Sequence, residues 1–183
     1  MTRVSAPAGL CWYACHTRAR AEKQVARQLS VRGLENYLPL LAQRRQWKDR
    51  RKVVSLPLFP GYVFGRFSLQ ETHTVLSIPG VSTIVSNNGR LSPIAEAELC
   101  NVRRLSAVLS STGLEAERHP LVIEAGQPVR VADGPFQGVE GWVIESRGQQ
   151  RLLVGLRAIG QGLEIDIARR HLEPLPTVLE RDG

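Results

Sequence analysis

The stretch 129–143 reads V-R-V-A-D-G-P-F-Q-G-V-E-G-W-V and predicts a β-hairpin. Val129 and Val131 alternate with other side chains as one face of a strand does, and Asp133-Gly134-Pro135 is typical of a tight turn. A second strand begins at Val139. A glycine stands on each side of its start, as expected where a small barrel bends sharply or where two backbones approach closely.

Three more segments after this hairpin have the composition of strands: Leu152–Leu156, Leu163–Ile167 and Leu172–Leu175. They are rich in β-formers, and repeated glycines interrupt any helical pattern between them. Five short strands separated by turn residues favour a closed barrel over an open sheet. We therefore predict an all-β barrel domain at residues 125–176.

Residues 9–110 mix strand and helix patterns and predict an α+β domain built on one antiparallel sheet with flanking helices. Cys11–His16 and Tyr62–Phe67 are predicted strands. An amphipathic helix follows the first of them, with Thr17 as a candidate N-cap and Gly33 as a candidate C-terminal stop.

Tyr37–Gln46 and Lys52–Phe59 predict a long hairpin in the same domain. A final helix is expected to begin at Ser92-Pro93, which would supply its N-cap and its first residue. The following residues, 111–124, lack a period and are predicted to be the linker to the barrel.

Basic residues are concentrated in the first part of the chain. Residues 1–112 hold 16 Lys/Arg against 6 Asp/Glu, whereas residues 113–183 hold 8 against 11. From Arg44 to Lys52, six of nine residues are basic. Six cations around a tryptophan suit phosphate contact with stacking on a base or sugar, and a merely solvated loop is the alternative. We predict nucleic-acid contact at Arg44, Arg45, Trp47, Lys48, Arg50 and Arg51, and add Arg20 and Lys23 because helical spacing places them in one row of cations.

The segment Pro57–Phe64, P-L-F-P-G-Y-V-F, strongly resembles the F-P-G-Y-V signature of the N-terminal domain of the NusG family. Its Pro-Leu lead-in is similar to the specialised paralog RfaH and to UpxY/LoaP-like antiterminators. Trp12-Tyr13, the run from His73 to Val81, and the hairpin 129–143, which resembles the KOW motif, follow in the family's order. Together these matches span nearly the whole chain.

This resemblance implies a NusG-type N-terminal domain joined to an SH3-like KOW barrel. The expected function is that of a monomeric, cytoplasmic transcription elongation or antitermination factor. In the family, an apolar patch grips the clamp helices of the largest RNA polymerase subunit, and a position matched by His73 lies near the other clamp jaw. The corresponding polymerase-binding residues here would be Tyr13, Phe59, Pro60, Tyr62, Phe64 and His73.

The alternation of side chains along the predicted strand Tyr62–Phe67 indicates which residues would form that patch. Side chains alternate along a strand, so Tyr62 and Phe64 share one face, and we expect them to form an exposed patch with Phe59. The alternative is that these aromatic residues all belong to the core.

Two more expectations follow from the resemblance. Arg18 matches a position where RfaH-like relatives place a basic DNA-contacting residue, so upstream or non-template DNA is an expected partner. Housekeeping NusG proteins carry a barrel phenylalanine that contacts Rho and the ribosomal protein NusE, but the nearest match here is Ile159. This difference argues against Rho recruitment and leaves NusE open, with Phe136 and Ile159 as the predicted partner-binding residues of the barrel.

Two rival interpretations remain at this point. One is a housekeeping NusG that also assists Rho. The other is a KOW-containing ribosomal or RNA-binding protein, which the acidic balance of the barrel half disfavours.

Other classes of function are excluded by missing motifs. The sequence has no Gly-rich phosphate loop, no G-x-S-x-G, no H-E-x-x-H and no paired C-x-x-C. The histidines and cysteines have no metal-ligand spacing, and no apolar run approaches the ~20 residues of a membrane span. We predict no enzymatic activity, no cofactor, no metal site and no membrane association.

Overall fold

The structure is a computed structural model that describes residues 9–47, 50–114, 116–121, 127–146 and 149–176, with only the backbone described at 43–47, 50–53, 146 and 149. The chain divides into two compact units, which meet between Glu96 and Ala97 in the sequence.

The first unit contains one main antiparallel sheet, two helices and two separate hairpins, one long and one short. In chain order its elements are β1 (Cys11–Thr17), α1 (Glu22–Val31), β2 (Glu35–Tyr37), β3 (Leu40–Trp47), β4 (Arg50–Pro57), β5 (Tyr62–Phe67), α2 (Thr72–Leu76), β6 (Val81–Ile84), β7 (Ser86–Asn87), β8 (Arg90–Leu91) and β9 (Pro93–Ile94). The main sheet has the order β2-β5-β1-β6, and β9 also pairs with β1. β3 pairs with β4, and β7 pairs with β8.

One face of the main sheet forms the core of this unit with the two helices. β1 and β5 contribute Tyr13, Cys15, Val63 and Phe67 to this face, because these residues alternate along strands that pair directly. The helices, β6 and the turn between α2 and β6 bury apolar residues in the same cluster: Val25, Leu29, Val75, Ile78 and Ile84. The prediction of an antiparallel sheet with flanking helices is therefore confirmed.

The start of the first helix differs from the prediction. Thr17 is buried at the end of β1, and α1 begins at Glu22 after a turn in which Arg20 has φ of 64°. A non-glycine residue in this left-handed conformation breaks the helical path, so Thr17 cannot cap the helix. The predicted stop is confirmed, since Gly33 follows the C-cap with φ of 75°.

The expected start of the final helix is wrong as well. Pro93 and Ile94 form β9, where Ile94 pairs with Trp12, and the helix begins at Glu96. The indole Nε1–H of Trp12 donates a hydrogen bond of 2.8 Å to the Glu96 carboxylate. Pairing with β1 therefore holds these residues extended, and a proline is tolerated at the start of an edge strand.

The second unit joins that helix to a sheet. Its elements are α3 (Glu96–Thr112, in this unit from Ala97), β10 (Glu117–Pro120), β11 (Gln127–Val131), β12 (Glu140–Ser146), β13 (Gln149–Leu156), β14 (Gln161–Asp166) and β15 (Leu172–Pro174). The strands form one antiparallel sheet of order β10-β14-β13-β12-β11-β15. The prediction of an all-β region after the linker is confirmed for the described residues.

The segment predicted as a linker, 111–124, contains regular structure. α3 continues to Thr112, and Glu117–Pro120 form β10, which pairs with β14. The edge of β14 supplies the backbone hydrogen-bonding partners for β10. The sequence of β10 itself carries no strand pattern.

Candidate functional site

The F-P-G-Y segment forms a turn that β1 and α1 hold in place. The backbone N–H of Tyr62 donates to the carbonyl of Phe59 at 3.2 Å, which closes the turn. Gly61, with φ of 84°, accepts a 2.7 Å hydrogen bond from the backbone N–H of Thr17 and donates one of 2.8 Å to the Glu22 carboxylate. Glu22 is 7% exposed, so a buried acid at the start of α1 fixes the position of Tyr62.

An accessible aromatic pair follows this turn. Tyr62 lies opposite His16 in the β1–β5 register, and their rings meet edge to face with centroids 5.2 Å apart. Both side chains are half-buried and lie on the face of the sheet opposite to Tyr13, while Pro60 in the turn is exposed. His16 was not among the predicted site residues. The strand pattern places it on the same face as Trp12, but its position opposite Tyr62 depends on the register between β1 and β5.

The predicted exposure of Phe59 and Phe64 is wrong. Both are 0% exposed. The turn folds Phe59 back so that its ring packs edge-on against Phe64 at 6.1 Å, and Tyr37 of the neighbouring strand lies 6.5 Å from the Phe64 ring. The patch at this turn is therefore narrower than expected and centres on Tyr62.

Tyr13 does not lie on this surface. It is 5% exposed on the other face of the sheet, with its ring 4.9 Å from that of Phe67. Burial raises the pKa of its phenol, and Cys11 adds to that effect. Tyr13 is thus a core residue.

His73 is exposed on α2. Because Val75 and Ile78 pack on the Tyr13 face of the sheet, α2 lies on the side opposite to Tyr62. The structure therefore does not bring His73 and Tyr62 to one face, and each would need its own contact.

The predicted nucleic-acid contacts of the first unit lie in two places. Arg18 and Arg20 are exposed in the connection from β1 to α1, and Lys23 is exposed in the first turn of α1. Because Arg20 has φ of 64° and precedes the helix, the expected helical row of Arg20 and Lys23 is wrong. This connection is held by hydrogen bonds from the Arg18 N–H to the Gly80 carbonyl, 2.8 Å, and from the Ala21 N–H to the Arg18 carbonyl, 3.1 Å.

The second place is the β3–β4 hairpin, which is confirmed as a long two-stranded ladder. Its register pairs Arg45 with Lys52 and Trp47 with Arg50. The strands therefore extend further than expected toward the tip, and Lys48 lies outside the described residues. The other predicted contacts of this hairpin, Arg44 and Arg51, also belong to the ladder.

The predicted partner-binding residues of the second unit are differently placed. Phe136 is 6% exposed, and its carbonyl accepts the Val139 N–H in the turn after β11, so it is part of the core. Ile159 is half-buried in a 3-10 turn at Arg157–Ile159.

α3 makes polar contacts with the sheet of its own unit. Asn101 Oδ1 accepts the Glu140 backbone N–H at 3.1 Å, and Arg104 donates to the Gly138 carbonyl at 2.6 Å. Glu98 pairs with Arg157 at 3.2 Å. Burial raises the pKa of Glu98, and the neighbouring Arg157 partly opposes this increase.

In the part of the chain that the structure describes, no group of three or more His, Cys, Asp or Glu side chains could hold a metal ion. No helix among these residues has the length and apolarity to cross a membrane. Cys11, Cys15 and Cys100 are free thiols.

Comparison with known proteins relates the chain to one family. The family model described as transcription termination factor NusG matches residues 10–103. The transcription termination/antitermination protein NusG of Helicobacter pylori is 28% identical over 134 residues, which cover 70% of this chain and 72% of that protein. That of Thermus thermophilus is 26% identical over 178 residues, covering 86% and 96%. The solved structure "Domain interaction in Thermotoga maritima NusG" is 22% identical, covers 91% of this chain and 98% of that chain, and has a TM-score of 0.46.

The family match and its relatives define the class as transcription termination/antitermination factors, which are not known as enzymes. Since the family model covers half of the sequence, the chain belongs to the NusG family.

Proposed function

We propose that this protein is a specialised, RfaH/UpxY/LoaP-like member of the family that binds the clamp helices of RNA polymerase and suppresses pausing or termination. The observation that carries the proposal is the half-exposed Tyr62 ring beside His16, on a turn fixed by Glu22. A preordered aromatic side chain loses little conformational entropy on binding, and such residues dominate protein–protein interfaces. Phe59 and Phe64 are buried and pack against each other, so they would not contact polymerase directly. His73 would contact polymerase separately.

The basic residues extend this proposal to nucleic acid. Arg18, Arg20 and Lys23 follow His16 in the chain, so a polymerase-bound Tyr62 would bring them near upstream or non-template DNA. The β3–β4 hairpin would supply further phosphate contacts and the stacking residue Trp47.

The second unit would act as an SH3-like KOW barrel that recruits a partner. Ile159 is aliphatic where housekeeping relatives carry phenylalanine, which disfavours Rho and leaves NusE as a candidate. A housekeeping NusG that assists Rho is the alternative within the family. Binding of purified Rho to the full chain decides between the two.

Tyr62→Ala tests the polymerase contact. The change should weaken binding to RNA polymerase by at least about 2 kcal/mol, a value typical of an aromatic anchor, while the fold is retained because Tyr62 is only half-buried. Val31→Ala is a matched control, since Val31 is an apolar residue that is 74% exposed on α1. If Tyr62→Ala binds polymerase as tightly as Val31→Ala, the proposed contact is wrong.

A separate measurement tests the DNA contact. Charge reversal at Arg18 and Lys23 should reduce the slope of log K against log salt for binding to DNA-containing elongation complexes. Each lost phosphate contact is worth roughly 0.7 to 0.9 in that slope. An unchanged slope would show that these cations are only solvated.

A further inference from the structure

The edge strand of the second unit comes from the segment between α3 and the rest of the sheet. β10 pairs antiparallel with β14, and the next residue, Leu121, donates its backbone N–H to the Gly160 carbonyl at 2.9 Å. In the described sheet β14 has β13 on its other side. Release of β10 would therefore expose a complete strand edge.

Three of the four side chains of β10, including that of Glu117, are exposed. Arg118 and Pro120 are exposed, and His119 and Leu121 are half-buried. Antiparallel ladders alternate hydrogen-bonded and non-hydrogen-bonded pairs, so the Leu121–Gly160 bond places Pro120 at a non-bonded position. The proline thus fits this ladder and adds no hydrogen bond to it.

The Leu121 side chain packs against the sheet where two paired glycines leave room for it. Gly155 and Gly162 are directly opposite each other in the β13–β14 register. A Cβ atom at Gly155 would lie 2.7 Å from Leu121 Cδ1, and one at Gly162 would lie 3.3 Å from it. Side chains at either glycine would close this gap, so the pair forms a socket for one apolar side chain.

A buried acid, Glu164, lies two residues beyond Gly162 on the same face of β14, directly opposite Glu117 of β10 in the register. The Glu164 side chain is 3% exposed and lies 3.2 Å from Arg151 Nε and 3.9 Å from His119 Nε2. Despite the ion pair, Glu164 Oε1 accepts no hydrogen bond from the described residues, and Arg151 also lies 3.2 Å from Asp166.

His119 does not supply the missing hydrogen bond to Glu164. Its Nδ1–H donates to the Pro120 carbonyl at 2.7 Å, and its Nε2 is too far from Glu164 for a hydrogen bond. A buried carboxylate with incomplete hydrogen bonding is unfavourable, so a longer cationic side chain at this strand position would bind more strongly.

We propose that the β14 edge is a docking site for an extended segment of a partner protein, with Lys or Arg two residues before an apolar residue. The partner segment would add a strand to the sheet, place its cation at Glu164 and its apolar side chain on the Gly155–Gly162 socket. In the free protein β10 and Leu121 occupy this site as a weaker, displaceable strand. The inference rests on the part of the proposed function in which the second unit recruits a partner.

Labelled hexapeptides and the full chain test this site. The peptides match residues 116–121, and one carries His119→Lys while the other carries His119→Asp. The Leu121→Asp chain should release its own strand and bind the His119→Lys peptide about tenfold more tightly than the unmodified chain, in which the site is occupied. The His119→Asp peptide should bind neither chain, because Glu117 already lies directly opposite Glu164 and the change would add a third acid to this part of the ladder.

Two variants make the result specific. Leu114→Asp introduces the same charge at a leucine that is 47% exposed in the same connection, and it should leave peptide binding as in the unmodified chain. Glu164→Gln, added to Leu121→Asp, should abolish the preference for the His119→Lys peptide. Circular dichroism and hydrogen exchange of the Gly162 and Glu164 amides show whether the sheet remains folded with its edge released, and Leu121→Ala replaces Leu121→Asp if the sheet unfolds.

The proposal is overturned if the folded, strand-released chain binds both peptides equally or neither of them. It is also overturned if that chain self-associates and excludes the His119→Lys peptide, since the edge would then pair with a second copy. Polymerase is absent from this peptide assay, so a negative peptide result does not bear on the Tyr62 test. A negative Tyr62 result likewise does not bear on peptide binding.

Discussion

Glu22→Ala should destabilise the first unit and disturb the turn that carries Tyr62. The Glu22 carboxylate is 7% exposed and accepts the Gly61 N–H at 2.8 Å. A hydrogen bond to a charged group contributes about 1.5–3 kcal/mol, and its loss also leaves the partly buried N–H without this acceptor. Taking about 2 kcal/mol, and about 4–8 °C per kcal/mol for a unit of this size, the melting temperature should fall by about 8–16 °C.

Two further variants separate the causes of this change. Glu22→Gln retains an acceptor oxygen without the charge. It should lose about half as much free energy of unfolding as Glu22→Ala, because neutral hydrogen bonds are roughly half as strong as charge-assisted ones. Gln24→Ala alters an exposed residue in the same turn of α1 and should change stability by less than about 0.5 kcal/mol.

Thermal unfolding of the full chain, followed by circular dichroism, measures the global effect. Hydrogen exchange at the Gly61 amide measures the local one, and it should accelerate in Glu22→Ala more than in Glu22→Gln. Binding to RNA polymerase should then fall by more than the unfolded fraction, since a displaced turn no longer presents Tyr62. If Glu22→Ala melts within about 2 °C of Gln24→Ala and its Gly61 amide keeps its protection, Glu22 does not hold the turn.

Three other predictions concern burial. Burial raises the pKa of Glu98 despite Arg157, so the folded state binds this proton more tightly and the free energy of unfolding should fall as pH rises above the ordinary value of 4.5. Urea denaturation should show a smaller fall for Glu98→Gln, and parallel pH profiles would contradict this. Burial raises the pKa of the Cys15 thiol to about 12, so iodoacetamide should modify the exposed Cys11 in the folded protein and reach Cys15 only after denaturation, as judged by peptide mapping. Gly141→Ala should cost about 3 kcal/mol, because a Cβ there would lie 2.4 Å from a carbonyl oxygen of the neighbouring strand, and an unchanged melt would refute it.

Local patterns predicted most of the strands and the class of each unit. The alternation and turn residues at 129–143 correspond to β11, the following turn and the start of β12. Tyr62–Phe67 is a strand with the predicted bounds, and Gly33 ends the first helix. These features depend on the period of side chains and on backbone preferences of glycine and proline, which act within a few residues.

The candidate site was predicted less well, because exposure depends on what packs over a side chain. Alternation correctly places Tyr62 and Phe64 on one face, but it cannot show that Phe59 folds back over Phe64. The same limit explains Tyr13, whose ring packs against Phe67 from a paired strand.

The sequence by itself therefore determined the family, most of the strands and helices in their order, and the concentration of basic residues in the first part of the chain. Tertiary structure alone decided which aromatic residues reach the surface, that His16 lies beside Tyr62, and that a segment without a strand pattern becomes β10. The physical reason is that these outcomes follow from strand register and packing between distant parts of the chain. His16 and Tyr62 meet through the pairing of β1 with β5, and β10 forms because β14 offers unpaired backbone groups that an adjacent segment can satisfy.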